Sequence, residues 1–204
     1  VSGKHAAVAS VDLVNEYGTP AHDIRMTADL SEGPALFAIA YDDIHSLEYF
    51  HQPVDGCWRK ADGTIEAAIE KAFADYESIF ARCEAFAKTI WDDAMAASGN
   101  EKYAELLALS YRQVIGAHKA CYDTEGKVLF VSKECFSNGC AATVDVTYPS
   151  IPLFLIYNPE LVKGMLRPVF KYAETEIWFY DFAPHDAGCY PIVNGQVYSH
   201  GTCA

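Results

Sequence analysis

The chain has 204 residues, 51% of them apolar and 21% charged, with a formal charge of −13. That balance fits a packed globular chain, excludes a disordered one, and speaks against nucleic-acid binding, which needs Lys and Arg gathered into a patch. No apolar run approaches the roughly 18 residues of a membrane span; "SIPLFLIYN" is half that.

In chain order, residues 6–50 read as strand and loop. "AAVASVDLV" and "ALFAIAYDDI" are apolar runs bounded by the turn chemistries "NEYGTP" and "SEGP". "HQPVDGCWRK" is an irregular connector. From Thr64 the period changes. Ile65, Ile69, Phe73, Tyr76, Phe80, Cys83, Phe86 and Ile90 recur every three or four residues, which predicts one long helix to about Ala97 behind the "DGT" cap. "SGNEK" turns the chain. A second helix carries Tyr103, Leu106, Leu107, Tyr111, Val114, Ile115 and His118 on one stripe, and so short a loop makes the pair an antiparallel αα-hairpin.

"TEGKVLFVSKE" then gives a turn at Glu125–Gly126 and a strand over 128–131, followed by the loop "CFSNGCAAT". "VDVTYPSIPLFLIY" predicts a short, almost wholly buried helix with Pro149 and Pro152 near its start. Asn158 as N-cap and Pro159 at the first position open a last helix, which Pro168 should kink. The loops after the second and fourth helices should emerge at one end of this frame, making 133–148 and 181–198 neighbours. The chain opens on "VSGKHAAV" and closes on "GQVYSHGTCA", without starting Met or signal peptide, and is expected to be a piece of a longer polypeptide.

The residues able to do chemistry sit mainly on those two loops. In "DFAPHDAGCYP", His185 and Asp186 stand side by side between Pro184 and Gly188. A His exchanges protons near neutral pH, and a carboxylate serves as base, acid or ligand. Adjacent loop residues point in roughly opposite directions, so the two need not touch. The plainer alternative has Asp186 capping a turn and His185 bonded to a backbone carbonyl. In "SKECFSNGC", Glu134 is a candidate acid or base and Lys133 a candidate carboxylate holder, or the two form a solvated ion pair. Asn138–Gly139 signals a turn. Asp145, inside "ATVDVTYPS", is flanked by apolar residues where a carboxylate is costly unless paired; otherwise it caps the following helix. Trp58 and Arg59 could stack and grip a substrate, or Arg59 could pair with Asp42, Asp43 or Glu48. Ser137 with His185 lacks a G-x-S-x-G elbow.

The seven Cys (57, 83, 121, 135, 140, 189 and 203) are odd in number and include no C-x-x-C, which argues against zinc. Cys83 and Cys121 read as small buried hydrophobes. Cys135 and Cys140 are close enough in sequence to bridge a loop.

The blocks "YDDIHSLEYF", "CWRKADGTIEAAIEKAFADYESIFARCEAF", "YAELLALSYRQVIGAHK", "SKECFSNGCAATVDVTYPSIPLFLIYNPELVKGMLRPVF" and "FAPHDAGCYPIVNGQVY" together resemble the glutaminase A family, over about residues 36–198. One departure is Cys135, where the family pattern leads one to expect Asn. The resemblance implies a mainly α fold, a partial (α/α)6 six-hairpin toroid over 51–204 preceded by a β-rich segment over 1–50. The C-terminal remainder of the same polypeptide would then be the partner that closes the ring. It also implies hydrolysis of L-glutamine to glutamate and ammonia, with no cofactor and no metal, in a secreted or periplasmic protein. Placed on this sequence, the catalytic candidates are Glu134, Asp145, His185 and Asp186, and the substrate-binding candidates are Trp58, Arg59, Lys133, Asn138 and Tyr190. A second reading is a glycoside hydrolase, with Glu134 or Asp145 opposed to Asp186 at a separation of about 6.5–9.5 Å and with Trp58 and the aromatics at 178–180 as sugar platforms. A third is a non-catalytic carbohydrate- or protein-binding module. The small-molecule substrate is thus glutamine or a sugar.

Overall fold

The computed structural model describes residues 6–14, 20–28, 30–31, 33–134 and 138–197, in two compact units, Val1–Ala40 and Tyr41–Ala204. In the first unit, β1 (Ala6–Val14) pairs antiparallel with β2 (Pro20–Ala28), Ala6 opposite Ala28 and Val14 opposite Pro20. The apolar run at 6–14 is a strand as its composition suggests; its partner "PAHDIRMTA" carries too many polar residues to read as one. The second apolar run forms no strand over residues 34–43, and its Ile39 and Tyr41 are exposed.

The second unit starts with a tight hairpin of β3 (Leu47–Tyr49) and β4 (Gln52–Val54). A one-turn helix follows, α1 (Cys57–Asp62), and then α2 (Ile65–Ala74). The N-cap of α2, Thr64, accepts a bond from Ala67 N at 3.2 Å, satisfying one of the donors a helix start leaves free. The long helix predicted from Thr64 to Ala97 is in fact two, because Asp75 leaves the helical region (φ −94°, ψ 1°) before α3 (Tyr76–Ser98) resumes. Asp75 still donates to Lys71 O and accepts from Ile79 N, both at 2.8 Å. The backbone ladder therefore bends there without being lost. Gly99, at φ 63°, ends α3 in the left-handed conformation, which glycine tolerates without strain. Asn100 then caps α4 (Glu101–Gly116), and the short connection lays α4 against α3 as a hairpin.

His118 is not the last turn of that helix. It begins β5 (His118–Tyr122), which pairs antiparallel with β6 (Val128–Ser132). The next helix, α5 (Val144–Tyr157), is half exposed rather than wholly buried: Thr147, Ser150 and Phe154 face inward, while Tyr148, Leu155 and Ile156 face out. Its prolines lie inside the helix, not near its start. They deprive the Asp145 and Tyr148 carbonyls of their usual donors, and both residues are exposed, so water can take the donors' place. Asn158 precedes α6 (Pro159–Ala173) without a side-chain capping bond, and α6 runs continuously through the buried Pro168. The chain ends its described course in β7 (Ile192–Val193), which adds parallel to β3 and gives the order β4-β3-β7.

Strand β6 organises the core. Successive strand residues face opposite ways, so Leu129 and Val131 enter one cluster with Leu47, Tyr49, Cys121, Ala141, Ala187 and Val193. Phe130 enters the other, with Phe154, Val162 and Met165. Covered on both faces, β6 reads as the continuous apolar run "VLFV". Gly164 lets α6 approach it, since a Cβ there would sit 3.0 Å from Phe130 N. Phe86, Tyr111 and Tyr157 meet edge to face, with ring centres 5.1, 5.5 and 5.9 Å apart, and join the α3–α4 hairpin to α5. Edge-to-face contact is the arrangement aromatic quadrupoles favour. This packing leaves the segment before α5, the first turns of α5 and the segment after α6 to form the site.

Candidate active site

The neighbourhood expected of the two loops exists. Tyr190 N donates to Gly139 O and Ala141 N to Gly188 O, both at 2.8 Å; Ala187 N returns a bond to Ala141 O at 3.0 Å, and Val144 N donates to His185 O at 2.8 Å. These bonds staple residues 139–144 to 185–190, although neither segment reads as a strand. Gly188 makes the turn possible. Its φ is 148°, and a Cβ there would collide with the Ile192 carbonyl. Only glycine enters that conformation at no steric cost.

Asp186 lies beneath this junction with no exposed surface. Its Oδ1 accepts from Gly188 N at 3.0 Å and from Val197 N at 2.9 Å, and its Oδ2 accepts from His185 Nδ1 at 3.0 Å. So Asp186 caps a turn and also holds its neighbour's ring, and the outward divergence expected of the pair does not occur. Backbone N–H donors favour a charged carboxylate, which a buried site otherwise penalises. The buried Gln196 fixes the loop from the other side, its Oε1 accepting from His185 N at 2.6 Å.

The His185 side chain is 40% exposed and forms part of the wall of an open cleft of about 930 Å³. Asp145, Tyr148, Trp178, Tyr180 and Phe182 line the same cleft. Asp145 is exposed in the first turn of α5, where the helix N-terminus favours a negative charge; the burial its apolar neighbours suggested is absent. Trp178 is anchored through Nε1–H to Phe182 O at 2.7 Å and packs on Tyr180 and Phe182.

The other candidates are placed differently. Glu134 accepts a bond from Thr143 Oγ1 at 3.0 Å, close behind the 185–186 pair but not among the residues lining the cleft. The Lys133 ammonium lies 5.3 Å from the centre of the Tyr190 ring, within cation–π range. Asn138 caps its own turn, accepting from Cys140 N at 2.7 Å, as the Asn–Gly signal implies. Burial raises the Tyr190 phenol above its ordinary pKa. Trp58 and Arg59 belong elsewhere. One guanidinium nitrogen of Arg59, Nη2, donates to both Asp42 oxygens at 2.8 and 2.9 Å, the guanidinium lies 4.9 Å over the Trp58 ring, and its cleft shares no lining residue with the first. Ser137 and Cys135 lie outside the described residues.

Reading the sequence missed Cys140, Thr143, Tyr148 and Gln196 as contributors. The Cys140 thiol is buried near the Asp186 carboxylate; burial first, then the nearby Asp186 and Glu134 charges, push its pKa up to about 12. Cys140, His185 and Asp186 bring one metal-ligating atom each within 4.8 Å of one another. The Asp186 oxygens, however, are already taken by backbone and ring donors, the arrangement of a hydrogen-bonded network. What it can do chemically is present an oriented imidazole to a bound molecule.

Comparison with known proteins places the chain in a family. The profile of the glutaminase A six-helical-hairpin domain matches residues 100–202. The chain belongs to that family. The mainly α second unit fits that domain. A profile described as a domain of unknown function (DUF5127) matches residues 16–93, so the two profiles divide the chain near the turn between α3 and α4. Glutaminase A of Aspergillus oryzae is 32% identical over 167 residues, 79% of this chain and 24% of the relative. A probable glutaminase of Arthroderma benhamiae is 35% identical over 100 residues, 48% of this chain and 12% of the relative. The chain thus spans a quarter or less of the curated relatives it matches. No solved structure matches it.

Proposed function

We propose that this chain carries part of the active site of a glutaminase that hydrolyses the side-chain amide of L-glutamine to glutamate and ammonia. The observation that carries the proposal is the His185 ring at the cleft wall, held through Nδ1 by a fully buried carboxylate. With Nδ1–H given to Asp186, Nε2 is the nitrogen that takes a proton from water attacking the amide carbon and returns it to the departing ammonia. Asp186 keeps the tautomer and steadies the imidazolium that forms. Asp145, in the same cleft as Tyr148, Trp178 and Tyr180, suits the substrate's ammonium group. The names of the relatives support the substrate.

The longer relatives and the exposed Phe80, Leu106 and Ile156 on α3, α4 and α5 support a further part of the proposal: helical hairpins from the rest of the polypeptide pack there and complete the cleft. A secreted or periplasmic location, assayed by fractionating the source cells, rests on the resemblance in sequence.

The aromatic wall also favours a second reading, glycoside hydrolysis with Trp178 and Tyr180 as sugar platforms. Against it, the Asp186 oxygens are occupied, which leaves Asp145 as the carboxylate on the wall of the cleft among the described residues. Ammonia release from L-glutamine and reducing-sugar release from a glycan panel, assayed side by side on the intact polypeptide, separate the two. Sugar release without ammonia would overturn the glutaminase proposal.

A further inference from the structure

Cys140 and Cys189 face each other as partners in an isolated antiparallel bridge. The bonds from Tyr190 N to Gly139 O and from Ala141 N to Gly188 O lie on either side of them, which makes them a non-hydrogen-bonded pair. In such a pair the Cα atoms are about 4.5 Å apart and both side chains rise from the same face, within the range a disulfide spans. Both thiols are free in this structure. The Cys189 sulfur leans across the pairing line, 2.7 Å from where a Cβ on Gly139 would stand. The Cys140 sulfur stands within 4.8 Å of a ring nitrogen of His185 and a carboxylate oxygen of Asp186.

The geometry points to a redox-closable thiol pair: Cys140 and Cys189 join in a disulfide that fastens residues 139–141 to 187–190 directly beneath the His185–Asp186 couple. Cys189 is the partly exposed member and the one a soluble oxidant reaches first; Cys140 is buried and holds its proton tightly. With a small disulfide such as oxidised glutathione as oxidant, the Cys189 thiolate attacks one of its sulfurs and expels one small thiol. The Cys140 sulfur, giving up its proton, then attacks the mixed disulfide at Cys189 and expels the second. Two protein thiols are oxidised, one small disulfide is reduced, and both protons leave with the small thiols. Closing the bond replaces the neutral Cys140 thiol beside Asp186 with a disulfide sulfur that carries no proton. This effect on the site rests on the function proposed above; the bond itself does not.

The test is to treat the intact polypeptide with excess oxidised glutathione, alkylate the remaining thiols, digest, and map cross-linked peptides by mass spectrometry. The expected result is a Cys140–Cys189 cross-link that dithiothreitol reverses, that persists in Cys135→Ser and that vanishes in Cys189→Ser. Alkylation of both Cys140 and Cys189 after the treatment, or a bond from Cys140 to Cys135, would overturn the proposal. Oxidation should also lower ammonia release severalfold, with recovery on reduction. A cross-linked protein of unchanged rate would refute the control of the site while leaving the bond standing.

Discussion

Two corners of the second unit pair a nitrogen side chain with a carboxylate, and they differ in depth. At Arg59, one guanidinium nitrogen meets both oxygens of the Asp42 carboxylate, with 29% and 30% of the two side chains still exposed. At His185, the carboxylate is wholly buried, fixed by two backbone N–H groups, and only the ring reaches the cleft. The first pair competes with water for both partners, so it adds little stability and has little reason to hold one geometry. The second has its acid locked and its base exposed, which is what proton transfer to a bound molecule requires.

The comparison can be broken or sharpened by substitution. The largest expected effect is that of Asp186→Ala. It leaves Gly188 N, Val197 N and the His185 ring without their acceptor, so unfolding stability falls by about 3 kcal/mol and ammonia release by about 100-fold or more. Denaturant titration and steady-state rates measure the two, and a neutral outcome would reduce the locked acid to ordinary surface chemistry. Gly188→Ala comes next. The left-handed φ and the collision with Ile192 should cost about 2–3 kcal/mol, read as a lower denaturation midpoint.

A smaller effect is predicted at His118, which is buried, stacked 4.4 Å from Phe130, and donates from Nδ1 to Val114 O at 2.7 Å, leaving Nε2 without a partner among the described residues. Burial lowers its folded pKa below the ordinary 6.5. The unfolded chain therefore binds the extra proton first as pH falls. The stability His118 contributes is complete above pH 6.5 and is lost as pH drops through the lowered folded pKa. His118→Phe should flatten that slope in pH-dependent thermal melts, and an unchanged slope would assign the acid sensitivity to another group. Smallest is Arg59→Ala, which should leave the rate of ammonia release unchanged and move the midpoint least of the four. A large loss of rate there would restore Arg59 to the substrate site.

Much of the frame was legible because it rests on period and turn chemistry. The helical stripes of α2 to α4, the "VLFV" strand and the Asn–Pro start of α6 announce themselves. The break at Asp75 does not, since no Gly or Pro marks it. Nor does β5, because His118 and Cys121 prolong the helical stripe of α4 while their strand role depends on pairing with β6. In the site, the meeting of the two loops followed from topology, and His185 and Asp186 stood out by residue type. Their direct contact, and the supporting parts of Cys140, Thr143 and Gln196, depend on how the backbone is held by the bonds between 139–144 and 185–190 and by the return of Gln196 to His185 N. A linear pattern carries no trace of such bonds.

The measurement that bears most directly on the account is ammonia release from L-glutamine by the intact polypeptide and by its His185→Gln variant, with unfolding midpoints recorded on the same preparations. The account predicts activity in the first, a fall of about 100-fold or more in kcat in the second, and nearly equal midpoints. Equal rates from the two proteins would contradict it.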